Sequence, residues 1–286
     1  MSKMTCLRLL IAFCLVGSIA SCAAIGRFNI LSTEQEVEIG REAAREIERN
    51  LRLYSDPVVA AYINSLGQML ARYSRRSGLT YYFKVVDTDE VNAFALPGGW
   101  LYVNRGLITT AENESELAGV IGHEIGHVDR KHGARAISRQ FGAAVFVDAT
   151  LGGKDASAKH RVIRQVVAIS TGMGQLKYGR DAEREADRFA VESTYAAGID
   201  PEGTATFFEK LMAMQKKEPG RLENLFSTHP PSRERVENVR SQIGGLPLKA
   251  GLTSDSRRFQ AIKERILERE RARRGKKARG KATRQR

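Results

Sequence analysis

The chain has 286 residues, of which 42% are hydrophobic, and this fraction is enough to bury a core and excludes a disordered chain. Its formal net charge of +13 suggests a nucleic-acid ligand, but residues 257–286 hold 14 basic and 3 acidic residues, which leaves about +2 for residues 1–256. Because the charge lies in a tail that has no aromatic residue after Phe259 for base stacking, no specific nucleic-acid partner is predicted.

The beginning of the chain resembles an export signal. Two basic residues precede an apolar run from Leu9 to Ala20, which is too short to span a bilayer but has the length of a signal-peptide core. The run ends in Ile-Ala-Ser-Cys, which resembles the lipobox of bacterial lipoproteins, in which Cys22 would become the lipid-bearing first residue. The sequence therefore predicts a signal peptide over residues 1–21. An ordinary cleavage nearby and an uncleaved anchor are the alternatives.

Cysteine usage agrees with export. The three cysteines are Cys6, Cys14 and Cys22, so the mature protein is expected to lack disulfides, and neither a cysteine nucleophile nor cysteine-ligated zinc is expected. Cys22 is followed by Ala23 rather than by an aspartate, and in the usual lipoprotein sorting rule this favours transport to the outer membrane. We therefore expect a periplasmic envelope protein that is anchored by lipid on Cys22, with residues 22–31 as a linker.

The hydrophobic pattern after the linker predicts helices around a short sheet. Ser32 begins a capping pattern for a helix to about Leu53, and Asp56-Pro57 opens a second helix. Aromatic and β-branched residues predict two or three short strands within residues 79–104, the last two joined by Pro97-Gly98-Gly99. Further helices are predicted at about 114–132, 134–150, 160–172, 180–197 and 201–217, with a loop at 152–155.

The helix at about 114–132 contains His123-Glu124-Ile125-Gly126-His127. Positions i and i+4 of a helix lie on one side, one turn apart, so both imidazoles can bind one zinc ion. Glu124, next to the first histidine, would act as general base on water. The motif also arises by chance, but burial beside apolar residues such as Val120 and Ile121 would be costly for these polar groups without a metal.

A catalytic zinc needs a third protein ligand and an open position. The metzincin pattern is excluded because Gly133 stands where its third histidine would be. Glu183 and Asp187 lie at i and i+4 of a predicted helix, on one face. We predict that Glu183 binds the zinc and that Asp187 accepts a ring N–H from a ligand histidine. The alternative for such a pair is a solvated helix surface.

Four motifs in this order resemble the HtpX-like and CAAX-prenyl-protease-like zinc peptidases (peptidase family M48), over about residues 32–270. They are Asn92–Gly99, Glu116–Gly122 before the histidine motif, Glu183–Asp187, and His229-Pro230 with Arg235. The resemblance implies one zinc per chain and an endopeptidase that acts on misfolded or misassembled envelope proteins.

Several roles stay open at this level. His229 would stabilise the oxyanion, bind the zinc as a removable fourth ligand, or only begin a helix before Pro230. Arg235 would stabilise charge or anchor its loop. The strand ending at Leu96 would pair with substrate backbone at a sheet edge or form an ordinary hairpin. His132 and His160 are predicted to lie on the surface.

We therefore predict an α+β fold, with a mostly helical single metallopeptidase domain over residues 32–250 and a small sheet beside the zinc helix. A C-terminal helix and basic tail follow over residues 251–286. The tail is expected to be a solvated, disordered extension; the alternative is that it attracts anionic lipid, polysaccharide, or nucleic acid after lysis. The predicted metal ligands are His123, His127 and Glu183, and the predicted catalytic residues are Glu124, Asp187 and His229. The predicted function is zinc-dependent endopeptidase hydrolysis of envelope polypeptides in protein quality control; the alternative is a latent peptidase acting mainly as a chaperone or assembly factor.

Overall fold

The structure is a computed structural model that describes residues 29, 31–139, 162–164, 166–168, 178–215, 217 and 219–284. The predicted signal peptide, Cys22, most of the linker, the predicted loop at 152–155 and His160 lie outside these residues. Within the described ranges, no helix is both long and apolar enough to cross a membrane.

Two N-terminal helices, α1 (Thr33–Asn50) and α2 (Pro57–Ala71), start at the polar caps that the sequence predicts. The Ser32 hydroxyl accepts a hydrogen bond from the backbone N–H of Gln35, whose side chain accepts one from the Ser32 N–H, so the capping box is complete. The Asp56 carboxylate accepts the first two free N–H groups of α2. These side chains stabilise donors that a helix start otherwise leaves unpaired.

The sheet has three strands, β1 (Tyr82–Val86), β2 (Ala93–Leu96) and β3 (Trp100–Asn104), in the order β1-β3-β2. β2 and β3 form the predicted antiparallel hairpin, whose two glycines, Gly98 and Gly99, have φ angles of 77° and 103° that favour glycine. β1 instead pairs in parallel with β3. β2 therefore lies at one edge of the sheet.

The remaining elements are helical, which confirms the mostly helical α+β fold. They are α3 (Arg105–Thr110), α4 (Glu114–Asp129), α5 (Arg180–Ala196), α6 (Glu202–Gln215), a 3-10 turn (Pro219–Arg221), α7 (Glu223–Thr228), α8 (Arg233–Gly244) and α9 (Arg257–Arg284). Residues 132–139, 162–164 and 166–168 are also helical. α3, α7 and α8 were not predicted; α3 and α7 have six residues each, which are too few to show a helical period.

α4 is the central helix, and it packs against α5, α6, α2 and β2. Two of its glycines face α5. A Cβ atom added at Gly126 would lie 2.9 Å from Ala186 Cα, and one added at Gly122 would lie 3.1 Å from Ala190 Cα. The two helices therefore approach more closely than larger side chains permit, and this brings the histidine motif of α4 against the first turns of α5.

The C-terminal helix α9 docks on the domain through both apolar and charged contacts. Phe259 and Ile266 are fully buried. Arg265 and Arg269 form ion pairs with Asp56, and Arg273 pairs with Asp87 at 2.9 Å. The helix continues to Arg284, which differs from the expected disordered tail. Carboxylates of the domain neutralise part of its basic charge.

Candidate active site

The contact between α4 and α5 brings the predicted metal ligands together. His123 and His127 lie one turn apart on α4, and Glu183 lies in the first turn of α5. One ligand atom from each of these residues and from His229 lies within 4.8 Å of the others, and all four residues are buried. His127 Nε2 is 3.0 Å from His123 Nε2 and 3.4 Å from Glu183 Oε1.

Asp187, one turn after Glu183, faces the far side of His123. Its Oδ1 atom lies 2.8 Å from His123 Nδ1, and Arg235 donates to Oδ2 at 2.9 Å and to Oδ1 at 2.6 Å. Burial disfavours the charged carboxylate, but Arg235 and His123 outweigh it and hold the pKa of Asp187 below its usual value. Because an ionised carboxylate only accepts, the hydrogen-bond network assigns the ring proton to Nδ1 and the lone pair of His123 to Nε2.

His132 corrects a prediction, because it is 3% exposed rather than a surface residue. The chain turns sharply after α4 at Lys131, which has a left-handed φ of 57°, and His132 then lies back against the zinc helix. Its Nδ1 atom is 2.9 Å from His127 Nδ1, and its Nε2 atom is 3.0 Å from Glu185 Oε2. Burial lowers the pKa of His132 to about 4.

Tyr178 is a second residue that the sequence did not indicate. Its ring stacks on His127 with a centroid distance of 4.2 Å and an interplanar angle of 25°, and it lies 5.5 Å from the ring of His229. Burial raises the pKa of its hydroxyl. A lone tyrosine ahead of a helix carries no sequence signal of this position. For His132 and Glu185 a signal existed, because His132 lies five residues after His127 and Glu185 lies between Glu183 and Asp187.

His229 and Glu124 complete the cluster. His229 caps the C-terminal end of α7, and its Nδ1 atom lies 3.0 Å from Glu183 Oε1 and 3.3 Å from His123 Nε2. Its Nε2 atom lies 3.6 Å from Glu124 Oε1. Burial raises the pKa of Glu124. Arg235 also reaches this group, with Nη1 2.9 Å from Glu183 Oε2.

The donor atoms fit a zinc ion. The Nε2 atoms of His123 and His127 face each other beside the Glu183 carboxylate, so two lone pairs at this separation repel unless a ring proton or a metal cation lies between them. Although burial opposes it, hydrogen bonds with Asp187 and Glu183 raise the pKa of His123 to about 9, so the surroundings favour positive charge at this point. Two imidazole nitrogens and one carboxylate oxygen are a known ligand set for catalytic zinc.

Comparisons with known proteins agree with this chemistry. A model of peptidase family M48 matches residues 57–243. The chain is 30% identical to the beta-barrel assembly-enhancing protease of Escherichia coli, over 84% of this chain and 50% of that protein. In the same organism it is 32% identical to metalloprotease YcaL, over 65% of this chain and 73% of that protein, and 28% identical to metalloprotease LoiP, over 82% and 90%. The chain thus spans about half the length of the beta-barrel assembly-enhancing proteases. The matched stretch contains the whole cluster.

Proposed function

This chain belongs to peptidase family M48, and on that premise we propose that it is a zinc endopeptidase that hydrolyses polypeptides at the bacterial cell envelope. The family resemblance that four motifs indicated and zinc as the cofactor are confirmed. One observation carries the proposal: the Nε2 atoms of His123 and His127 and the Glu183 carboxylate converge beside Glu124. In this proposal those three residues hold the metal.

Each of the chain's own groups has a defined task in the proposed reaction. A bound zinc ion supplies the charge that polarises the scissile carbonyl and brings the pKa of water near 7. Glu124 accepts a proton from the attacking water and passes it to the leaving amine. Asp187 holds the ring of His123 in position, and Arg235 holds Asp187 through two hydrogen bonds. These bonds restrict the movement of the ligands during the reaction.

We place His229 as a removable fourth ligand of the resting enzyme. Its Nδ1 atom lies in the ligand cluster, and the residue stands between the short helix α7 and Pro230-Pro231 rather than inside a long helix. A group at the end of a short element moves at lower cost than one on α4 or α5. Stabilisation of the oxyanion by the same side chain is the competing role.

The proposed substrates are misfolded or misassembled envelope proteins. The name of one relative, the beta-barrel assembly-enhancing protease, joins proteolysis with assembly. The lipobox-like sequence ending in Cys22 supports a lipid anchor in the outer membrane. A chaperone or assembly factor with latent peptidase activity is the second candidate. The position of His229 among the ligands favours it, because a fourth ligand would occupy the place that water needs.

Metal analysis and casein cleavage by the purified protein test the proposed activity. Glu124→Gln keeps the size and polarity of the side chain but cannot act as a base, so we expect about one zinc per chain and a loss of cleavage of roughly 100-fold or more. Glu192→Gln, on the exposed side of α5, is the matched control and is expected to cleave normally. Wild-type cleavage by Glu124→Gln would disprove the mechanism.

The lipid anchor is tested by labelling cells with a fatty acid. Cys22→Ala removes the thiol that would carry lipid, so the protein is expected to lose the label and either to stay unprocessed or to become soluble. Cys14→Ala, inside the predicted leader, is the control and is expected to keep the label. Equal labelling of both variants would refute the lipoprotein interpretation.

A further inference from the structure

We propose that His132 and Glu185 form a positioning pair that orients His127 toward the metal. This inference rests on the zinc site proposed above and adds two residues to it. Neither residue is among the ligands, and both act through the ring of His127. The pair lies on the opposite side of His127 from the cluster, with distances of 2.9 Å from His127 Nδ1 to His132 Nδ1 and 3.0 Å from His132 Nε2 to Glu185 Oε2.

The contacts run from Glu185 through His132 to His127, and the charge of Glu185 fixes which nitrogen donates at each step. An ionised Glu185 only accepts, so His132 donates from Nε2. A neutral imidazole carries one ring proton, so His132 Nδ1 has a lone pair and accepts from His127 Nδ1. The proton of His127 is therefore fixed on Nδ1, which leaves the lone pair of Nε2 facing His123 and Glu183. In the reverse tautomer, an N–H group would point at the metal position.

The two ligand histidines are thus oriented by different groups. His123 meets a buried carboxylate, Asp187, directly, whereas His127 meets a neutral ring that connects it to Glu185, whose side chain is 37% exposed. Glu124, Glu183 and Asp187 already place three buried carboxylates around the site. A fourth buried carboxylate would add repulsion and a desolvation cost, and the ring of His132 avoids this by keeping the charge at the periphery.

The backbone beside His132 gives independent support. Lys131 adopts a left-handed conformation, which is unfavourable for a residue with a Cβ atom. Its ammonium group pairs at 2.9 Å with Glu36, a fully buried carboxylate of α1. This ion pair stabilises the turn that returns His132 to His127, and strained backbone held by surrounding contacts is typical of functional sites.

The affinity of the purified full-length protein for zinc tests the pair, with competition against a chelator as the measurement. His132→Phe keeps a ring of similar size but removes both nitrogens, and we expect zinc affinity to fall about 10- to 100-fold, as changes in outer-shell partners do. His132→Asn keeps a short acceptor near the position of Nδ1 and is expected to recover part of that loss. Glu185→Gln is expected to weaken binding less than His132→Phe, because an amide still presents an acceptor. Glu192→Gln on the same helix is the control and is expected to bind as the wild type does.

The thermal midpoint of the metal-free variants separates positioning from packing. Unchanged zinc affinity in His132→Phe would overturn the inference. Equal losses of zinc affinity in His132→Phe and His132→Asn, accompanied by a lower thermal midpoint of both metal-free variants, would also overturn it, because they would indicate a loss of packing. If His132→Phe does not fold, Glu185→Leu decides, because it removes the acceptor from His132 and wild-type affinity there would exclude the pair. A wild-type protein that binds no zinc would instead overturn the proposed function itself.

Discussion

Two buried carboxylates show how differently this chain treats similar groups. Asp56 is 1% exposed and Glu183 is 4% exposed. Asp56 is surrounded by donors of the protein itself: two backbone N–H groups at the start of α2 and the guanidinium groups of Arg265 and Arg269. Glu183 faces three histidine rings as well as Arg235. The first carboxylate is satisfied within the fold, whereas the second lies among residues that could hold a metal ion.

The difference shows that burial of a charge does not by itself indicate a functional site. The number of the protein's own cations and N–H groups around it decides. At Asp56 these donors match the acceptor, so the expected effects of substitution are on stability and on the docking of α9. At Glu183 three of the four neighbouring groups are histidines of the proposed metal cluster, so the expected effects are on metal and chemistry.

The largest effect is expected at the ligands themselves. Glu183→Ala removes one of the three proposed zinc ligands, so the affinity for zinc should fall by more than the roughly 100-fold that outer-shell changes cause, and cleavage should fall with it. Metal analysis after dialysis measures the loss, and Asp56→Ala is the control that should keep its zinc. Full zinc retention in Glu183→Ala would show that the third ligand is another residue.

Removal of the buried guanidinium group of Arg235 should have the next largest effect. Arg235→Met keeps much of the side-chain volume but leaves Asp187 and Glu183 without their arginine, and breaking such a buried pair costs about 3–5 kcal/mol of folding free energy. Denaturant unfolding of the metal-free protein measures it. Arg240→Met, on the same helix, removes exposed ion pairs with Glu202 and Glu209 and should cost far less, because water screens these charges. Equal costs for both variants would contradict the comparison.

His229 should affect activity without loss of metal, because three ligands remain. If it caps the metal at rest, His229→Ala should raise basal cleavage of casein. If it stabilises the oxyanion, the same change should lower turnover by roughly 100-fold. We expect the rise, and zinc content measured on the same samples should stay near that of the wild type. Unaltered cleavage would leave His229 a structural residue only.

Asp56 should behave as a purely structural group. Asp56→Asn keeps a good helix cap but loses the charge that Arg265 and Arg269 meet, and we expect a cost of about 1 kcal/mol because both arginines are partly exposed. Asp56→Ala loses the cap as well, which adds about 1 kcal/mol. Denaturant unfolding with equal zinc content in both variants is the expected result. A change in zinc affinity would refute the separation of the two regions.

The smallest effect concerns pH. Burial disfavours the charge of Asp56, but hydrogen bonds from Arg265 and Arg269 outweigh this and lower its pKa in the folded protein. A lowered folded pKa means that the stabilisation is fully present above about pH 4 and is lost as the pH falls through the folded value. The stability difference between the wild type and Asp56→Asn should therefore shrink toward zero in acid, as denaturant unfolding of the metal-free proteins would show. A constant difference would contradict it.

Local signals in the sequence predicted much of this molecule. The caps at Ser32 and Asp56, the Pro97-Gly98-Gly99 turn and the i, i+4 spacings of His123 and Glu183 depend on residues that lie near one another in the chain. The mostly helical fold with one small sheet followed from the same patterns, and the predicted ligands do lie together in space. Their individual roles stay predictions, as do the domain boundaries.

The rest depended on contacts between distant segments. The parallel pairing of β1 with β3 and the ion pairs of α9 with Asp56 have no local pattern. The burial of His132 follows from a left-handed turn at a lysine, a residue that seldom adopts one, so periodicity could not indicate it. Tyr178 reaches His127 only through the folded chain.

The glycines on the α5 side of α4 keep the two helices at the close spacing that the proposed metal site needs. Zinc–ligand distances vary by about 0.2 Å in a sound site, whereas a Cβ atom at Gly126, 2.9 Å from Ala186 Cα, would have to separate the helices by several tenths of an ångström to reach ordinary contact. His123 and His127 would then recede from Glu183 by more than the bonds can absorb. The backbone spacing of two helices, rather than any polar group, therefore sets the bond lengths that a metal would find here.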